Sequence, residues 1–227
     1  MAKQLDLEEQ EQLDQIKHFW KQYGNPITWV LIAILGAFAA WNGYQYWQRN
    51  QAVQASALYD ELERLAAQGD PAKVQRAFTD MKDKFGRTTF AMQGGLLNAR
   101  LQQEAGKTED AKTALTWVAD KASDPAYKAI ARLRLAALLA QAKDYPAAMA
   151  RLDGDFPVEF KPLVADRKGD LLMLQEKPAE ARVQYQQAWA GLDVRSDYRQ
   201  LVEIKLTALG ADPRPAAGAA TAAEAKP

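Results

Sequence analysis

The sequence predicts an all-α protein: a single N-terminal transmembrane helix followed by an α-solenoid of about four helical hairpins. Three observations carry that expectation. An uncharged run extends from Gln22 to Gln48. Beyond it the chain is dominated by Ala, Leu, Gln, Lys, Arg and Glu, with no alternating strand-like run. Turn signals then recur at a nearly constant spacing, the mark of stacked supersecondary units. The organisation that follows is a leader at 1–24, a membrane helix at 25–48, a repeat domain at 49–209 and a disordered Ala/Pro-rich tail at 210–227.

The leader reads as a short amphipathic helix. Leu13, Ile16 and Trp20 follow i, i+3, i+7 spacing and make one stripe, which can rest on the inner leaflet or dock on a partner. Gly24-Asn25-Pro26 punctuates the chain, and Pro26 suits the first turn of the next helix. The stretch Ile27–Tyr46 is apolar and carries no charge. At about 1.5 Å rise per residue it spans roughly 30 Å as a helix, the hydrocarbon thickness of a bilayer. Trp29 stands at one edge, and Trp41, Tyr44, Tyr46 and Trp47 at the other, as interfacial aromatic belts do. Ala37-Phe38-Ala39 looks like a signal-peptide cleavage site. The flank ahead of it is long and carries Asp6, Glu8, Glu9, Glu11 and Asp14, whereas a signal peptide needs a short basic leader. The expectation is an uncleaved anchor. Basic residues flank the span almost evenly, Lys17 and Lys21 against Arg49 and Arg64. The mass lies C-terminal to it, so the ordinary signal-anchor arrangement puts the leader in the cytoplasm and the domain outside.

Within the span, Gly36, Ala37, Ala40 and Gly43 form a smooth strip on one helix face, which allows close packing against another membrane helix.

Composition excludes several chemistries. There is no cysteine, hence no disulfide, zinc–thiolate site or thiol nucleophile. The one histidine, His18, precedes the span, so the large domain holds no imidazole for a triad or a metal cluster. No glycine-rich phosphate loop is present. From Arg49 onward 26 basic residues face 24 acidic ones, so no strong basic field exists to hold nucleic acid. Asp166 and Asp170 share a helix face and could in principle run acid–base chemistry, but such a pair reads as a solvated face. No catalytic, cofactor-binding or metal-binding residue is expected.

Loop centres fall at Gly69, Gly106, Lys143 and Glu176. Their separation is about 35 residues, the period of a two-helix repeat. Seven positions before them stand Leu62, Ala99, Ala136 and Gly169; five after stand Val74, Ala111, Ala148 and Ala181; nine after stand Phe78, Leu115, Leu152 and Tyr185. Small residues let the two helices of a hairpin approach, and the large one fills the gap to the next hairpin. This spacing resembles the tetratricopeptide repeat, best in the turns 106–111 and 143–148. A helix at roughly Ser196–Leu209, with the apolar stripe Leu201, Ile204 and Leu209, is expected to cap the solenoid.

A solenoid of this kind makes a concave surface from its first helices. By repeat position it would include Tyr59, Glu63, Gln93, Leu96, Arg100, Gln103, Ile130, Leu133, Leu163, Asp166, Asp170 and Met173, of which Leu133 and Leu163 serve equally well as core. Arg100 is the only cation in that set, so a mode that grips a terminal carboxylate looks absent, and a mixed apolar groove suits partner helices or unfolded clients.

The order of these parts carries a resemblance. Residues 12–24, QLDQIKHFWKQYG, then Tyr44-Gln45-Tyr46-Trp47, then Ala55-Ser56-Ala57-Leu58-Tyr59, then residues 164–170, VADRKGD, are similar to the YfgM-like family of bacterial inner-membrane proteins, the ancillary subunits of the SecYEG translocon. The resemblance covers about residues 10–209. It implies a periplasmic repeat domain in the inner membrane, with SecYEG and a PpiD-type periplasmic chaperone as partners. The implied role is assistance to secreted proteins leaving the channel. A carboxylate-based cell-wall enzyme and a purely structural tether stand as the alternatives.

Overall fold

A computed structural model describes residues 7–213, with side chains from residue 12 onward. The predicted tail lies outside the described residues from residue 214. All regular structure among the described residues is helical. The chain divides into two units at Val53/Gln54.

The first helix, α1, is assigned from Leu7 to Ala67 and so contributes to both units. In the first unit it runs through Gly24-Asn25-Pro26, where the sequence suggested a break. Pro26 lacks the N–H that would bond the carbonyl four residues back. Nearby, the Thr28 hydroxyl donates to the Gly24 carbonyl at 2.7 Å, and the Trp20 ring lies 3.3 Å from where a Cβ on Gly24 would sit. The glycine thus makes room for the indole. This is the one helix among the described residues long and apolar enough to cross a membrane, and none of its apolar window is buried. Leu35 and Phe38 are 64% and 65% exposed, which places a large continuous apolar surface outside any protein core.

In the second unit the end of α1 pairs with α2 (Pro71–Phe85). The chain continues through α3 (Thr89–Glu104), α4 (Thr108–Lys121), α5 (Pro125–Gln141) and α6 (Tyr145–Leu152). After a 3-10 turn at Val158–Phe160 come α7 (Lys161–Leu174), α8 (Pro178–Gly191) and α9 (Asp197–Ala208). The starts are written in the sequence. Asp70 accepts bonds from the Ala72 and Lys73 amides ahead of Pro71, and Asp124 accepts from Ala126 ahead of Pro125. These are N-cap residues followed by a proline where its missing N–H costs nothing.

The ends follow the predicted period. Gly69, Gly106, Lys143 and Glu176 are all left-handed, with φ of 69°, 73°, 61° and 60°. A bond from the residue after the turn centre back into the helix closes three of them: Lys107 to Gln102 at 2.8 Å, Asp144 to Leu139 at 3.0 Å and Lys177 to Leu172 at 2.9 Å. This is the bond pattern that satisfies orphan carbonyls at a helix end. Gly210, one further period beyond Glu176, repeats the device with φ 71° and an Ala211-to-Leu206 bond of 3.0 Å. Thus α9 is the first helix of a fifth repeat.

The residues picked at all three repeat offsets are buried, Gly169 included. They fall into three successive apolar clusters: one around Leu62, Phe78, Leu96 and Leu115; one around Ala136, Leu152 and Leu171; one around Tyr185, Val202 and Leu206. A chain of small cores is what stacked hairpins produce. The fourth hairpin shows why its seventh position back is glycine: a Cβ on Gly169 would stand 2.5 Å from the Tyr185 ring. Phe78 reaches the next hairpin instead, edge-on to Trp117 with ring centroids 5.4 Å apart.

The stripe predicted for the last helix is corrected. Leu201 and Ile204 are 45% and 66% exposed, whereas Val202 and Leu206 are buried against the third cluster. Of the predicted three, Leu209 alone packs against it.

Candidate interaction surface

The first helices of the early hairpins each turn the same face outward. On α1, Tyr59 and Glu63 are one turn apart; on α3, Gln93 and Arg100 follow two turns apart; on α5, Tyr127, Ile130 and Arg134 continue the face. Contacts tie these faces together. The Tyr59 and Phe90 rings lie 6.0 Å apart. The Gln93 side-chain amide donates to the Tyr127 hydroxyl at 2.7 Å. The Arg134 guanidinium donates to the Leu96 carbonyl at 3.4 Å. Tyr59 donates to Glu63, and its hydroxyl is pushed up to about 12 by burial first, then by the bond to Glu63 and that residue's charge.

Arg100 is exposed and holds Glu104 loosely at 3.5 Å. Arg134 has no carboxylate within ion-pair distance among the described residues. Burial, and then the nearby Arg100 charge, lower its pKa from the ordinary arginine value. Arg134 thus adds a second cation near Arg100, at a position outside the set expected from the sequence. Arg134 stands one position after Leu133, just off the repeat position that was followed, and so was missed along with Tyr127.

Other predicted groove residues separate. Gln103 and Met173 are exposed, and Ile130, Leu133 and Leu163 are half-buried. Leu96 is buried in the first cluster and belongs to the core. Asp166 is only 1% exposed. It accepts from the Lys205 ammonium at 2.8 and 3.0 Å and from the Tyr198 hydroxyl, both on α9. Asp170 takes the same ammonium at 2.6 Å and the Tyr185 hydroxyl at 2.8 Å. One lysine thus bridges both carboxylates, each also accepts from one tyrosine, and Arg167 lies 3.5 Å from the other oxygen of Asp170. Asp166 is withdrawn from the groove because this network locks α7, α8 and α9 together. Burial comes first and the adjacent carboxylates second in raising the Tyr185 and Tyr198 hydroxyls well above the usual tyrosine range. No cluster of metal-ligating side chains occurs among the described residues.

In the first unit, Gly36, Ala37, Ala40 and Gly43 are all exposed. A Cβ added at Gly36 or Gly43 would meet nothing within 4 Å. No packing inside the described chain requires a glycine at either place.

Together these parts define a class: a helical-repeat protein with a polar-aromatic face on its first helices, preceded by one helix able to cross a membrane. A family profile described as a tetratricopeptide repeat-like domain matches residues 17–211. The chain is 31% identical over 207 residues to the ancillary SecYEG translocon subunit of Neisseria gonorrhoeae, covering 89% of this chain and 98% of that one. Proteins of the same description from Haemophilus influenzae and Escherichia coli are each 27% identical, over 80% and 88% of this chain and 89% and 96% of theirs. The chain belongs to this YfgM-like family of ancillary SecYEG translocon subunits.

Proposed function

We propose that this protein is a single-pass inner-membrane subunit that associates with the SecYEG translocon and uses its repeats to bind other proteins. The observation that carries the reading is similarity over nearly the whole length of relatives described as translocon subunits, apolar helix included. The span is uncleaved, the N-terminus cytoplasmic and the repeat domain periplasmic. Leader and span set the location, with the Gly36-Ala37-Ala40-Gly43 strip packing against a membrane helix of the channel. The first-helix face engages a periplasmic chaperone of the PpiD type or an unfolded client emerging from the channel. The occupied acid pair at Asp166 and Asp170 argues against the enzyme alternative.

Crosslinking in native membranes, followed by identification of the partners, tests this reading. The expected products contain a SecYEG subunit through the leader or span and a soluble periplasmic protein through the repeats. Products lacking any channel subunit would remove the translocon assignment. Protease added to spheroplasts should digest the repeat domain, and a protected domain would reverse the orientation.

A further inference from the structure

A membrane span limits how far the start of the repeat unit can stand from lipid. The Tyr59 and Phe90 rings lie 6.0 Å apart, and a Cβ on Gly94 would stand 3.8 Å from Leu62 and 2.8 Å from Met81. So α1 and α3 run side by side in one direction, and α2 returns along them in the other. The junction of α2 and α3, from Gly86 to Thr88, therefore lies level with the stretch of α1 just before Tyr59, where Ala55 is fully buried. About ten residues of continuous helix separate that level from Trp47, the last aromatic of the span. At about 1.5 Å each they hold it within about 15 Å of Trp47, whatever the angle between the two units. A headgroup layer is about 5–8 Å deep, and its charge is felt about 8 Å further, one Debye length. The junction is thus tethered within the field of the lipid surface, and the turn at Gly69 is at the opposite end of the hairpin.

What the junction presents fits that place. Lys82 and Lys84 stand in the last turn of α2 and Arg87 in the loop after it, and none has a carboxylate within ion-pair distance among the described residues. Asp80 and Asp83 belong to the same stretch, but the charges closest to α3 are Lys84 and Arg87. The neighbouring helices add no acid at this level: α1 has no charge from Asn50 to Tyr59, and α3 has none from Thr89 to Ala99. On α4, Trp117 lies 3.4 Å from where a Cβ on Gly86 would sit, and the charges that follow it, Asp120 and Lys121, cancel. Towards the other end of the hairpin, by contrast, Arg64, Lys73 and Arg100 each hold a carboxylate. Half-buried Phe85 and Trp117 flank the loop, and aromatic rings beside cations are what a lipid–water interface collects. Because the span keeps lipid permanently beside this edge, even a weak contact is populated.

We infer that Lys82, Lys84 and Arg87 rest on anionic lipid headgroups and hold the first hairpin down on the membrane surface. This rests on the reading of α1 as a membrane span and adds a second membrane contact, made by the repeat unit itself. Each cation brought to an anionic surface shifts the balance between docked and free about fivefold. A docked first hairpin fixes the direction in which the later repeats project from the membrane.

The test uses the full-length chain, which has no cysteine of its own. Thr89→Cys carries a fluorophore beside the loop, and Gln68→Cys carries one at the opposite end of the hairpin; both positions are exposed. Each labelled protein is placed in nanodiscs of phosphatidylcholine, alone or mixed with phosphatidylglycerol, with a quencher attached to the lipid headgroups. The label at position 89 should be quenched at least about twofold more strongly in the anionic discs, and the label at 68 equally in both. Lys82→Gln with Lys84→Gln and Arg87→Gln should remove that difference and leave the melting temperature unchanged. High salt should remove it without any substitution, so a variant that fails to fold does not spare the inference. Equal quenching at 89 in the two discs overturns the contact. So does a difference that survives the triple variant or high salt, or a label at 68 that responds as strongly as the one at 89. Alkaline extraction from vesicles is scored alongside. A protein that alkali releases has no span, and the membrane reading falls together with this inference. A protein that resists alkali while its label ignores lipid charge loses only the headgroup contact.

Discussion

At the residue scale, the junction of α7, α8 and α9 concentrates the largest electrostatic stake in the molecule. Lys205 is 23% exposed at its side chain and Asp166 is 1% exposed, so Asp166 relies on Lys205 and Tyr198 in place of water, and Lys205 on the two carboxylates. Removing one partner of a buried pair costs about 3–5 kcal/mol; because Lys205 keeps Asp170 and some water, Asp166→Ala should cost about 2–3 kcal/mol here. Denaturant titration of the full-length protein measures it, and a loss below about 0.5 kcal/mol would mean that α9 docks by its apolar residues alone. The tyrosines add a pH signature. Tyr185 and Tyr198 titrate above the ordinary value when folded. Their contribution is therefore complete below about pH 10, the unfolded value, and drains away as pH rises towards the folded values. The denaturation midpoint should fall above about pH 10, and Tyr185→Phe with Tyr198→Phe should make that fall shallower. An identical alkaline profile in the double variant would assign the loss to other groups. None of this network was legible in the sequence, because its partners lie 32 and 39 residues apart. Helical spacing reported only that Asp166 and Asp170 share a face.

At the scale of the element, the turns were the legible part. A left-handed residue must close each hairpin, and glycine at 69 and 106 announces it. Lys143 and Glu176 do not, and only the period identifies them. Both hold a conformation that costs a side-chain-bearing residue about 1–2 kcal/mol. Lys143→Gly and Glu176→Gly should each stabilise the protein by about 0.5–1 kcal/mol, the strain relief less the added freedom of the unfolded chain. Equilibrium unfolding of each single variant checks this, and a destabilised variant would show that contacts of the lysine or glutamate outweigh its strain. The last helix shows where periodicity runs out. Leu201 and Ile204 make one stripe on α9, Val202 and Leu206 another, and both satisfy helical spacing. What decides between them is the register to the following turn. Four positions before each left-handed centre stand Leu65, Gln102, Leu139, Leu172 and Leu206, all turned inward to some degree. Counting Gly210 as a fifth centre selects Leu206, and with it Val202 one turn earlier.

On the scale of the whole molecule, the two units answer to different solvents. The repeat unit buries its apolar residues in its own clusters, and its first-helix face is mixed in character. The first unit leaves Trp29 71%, Phe38 65% and Trp41 62% exposed, the surface expected of a helix whose medium is a bilayer. Inside a bilayer, large apolar side chains do not drive helix association, since lipid is equally apolar; close backbone approach does. The glycines at 36 and 43 have no neighbour within the described chain that demands them, and Ala40 lies on the same open strip. A role in packing against a foreign membrane helix accounts for this, and it separates two readings of the span. If the strip is a contact surface, Ala40→Leu with Gly43→Leu should reduce co-purification with SecYEG several-fold. Repeat-domain melting and membrane insertion should be unchanged, because leucine favours insertion. If the span is only an anchor, the double variant, or an unrelated span of equal length, should retain the channel as well as the native sequence does. Arg100→Glu supplies the complementary arm, leaving the channel bound while weakening the partner held by the repeats. Independent loss of the two contacts is the outcome expected of a protein whose span chooses the place and whose repeats choose the ligand.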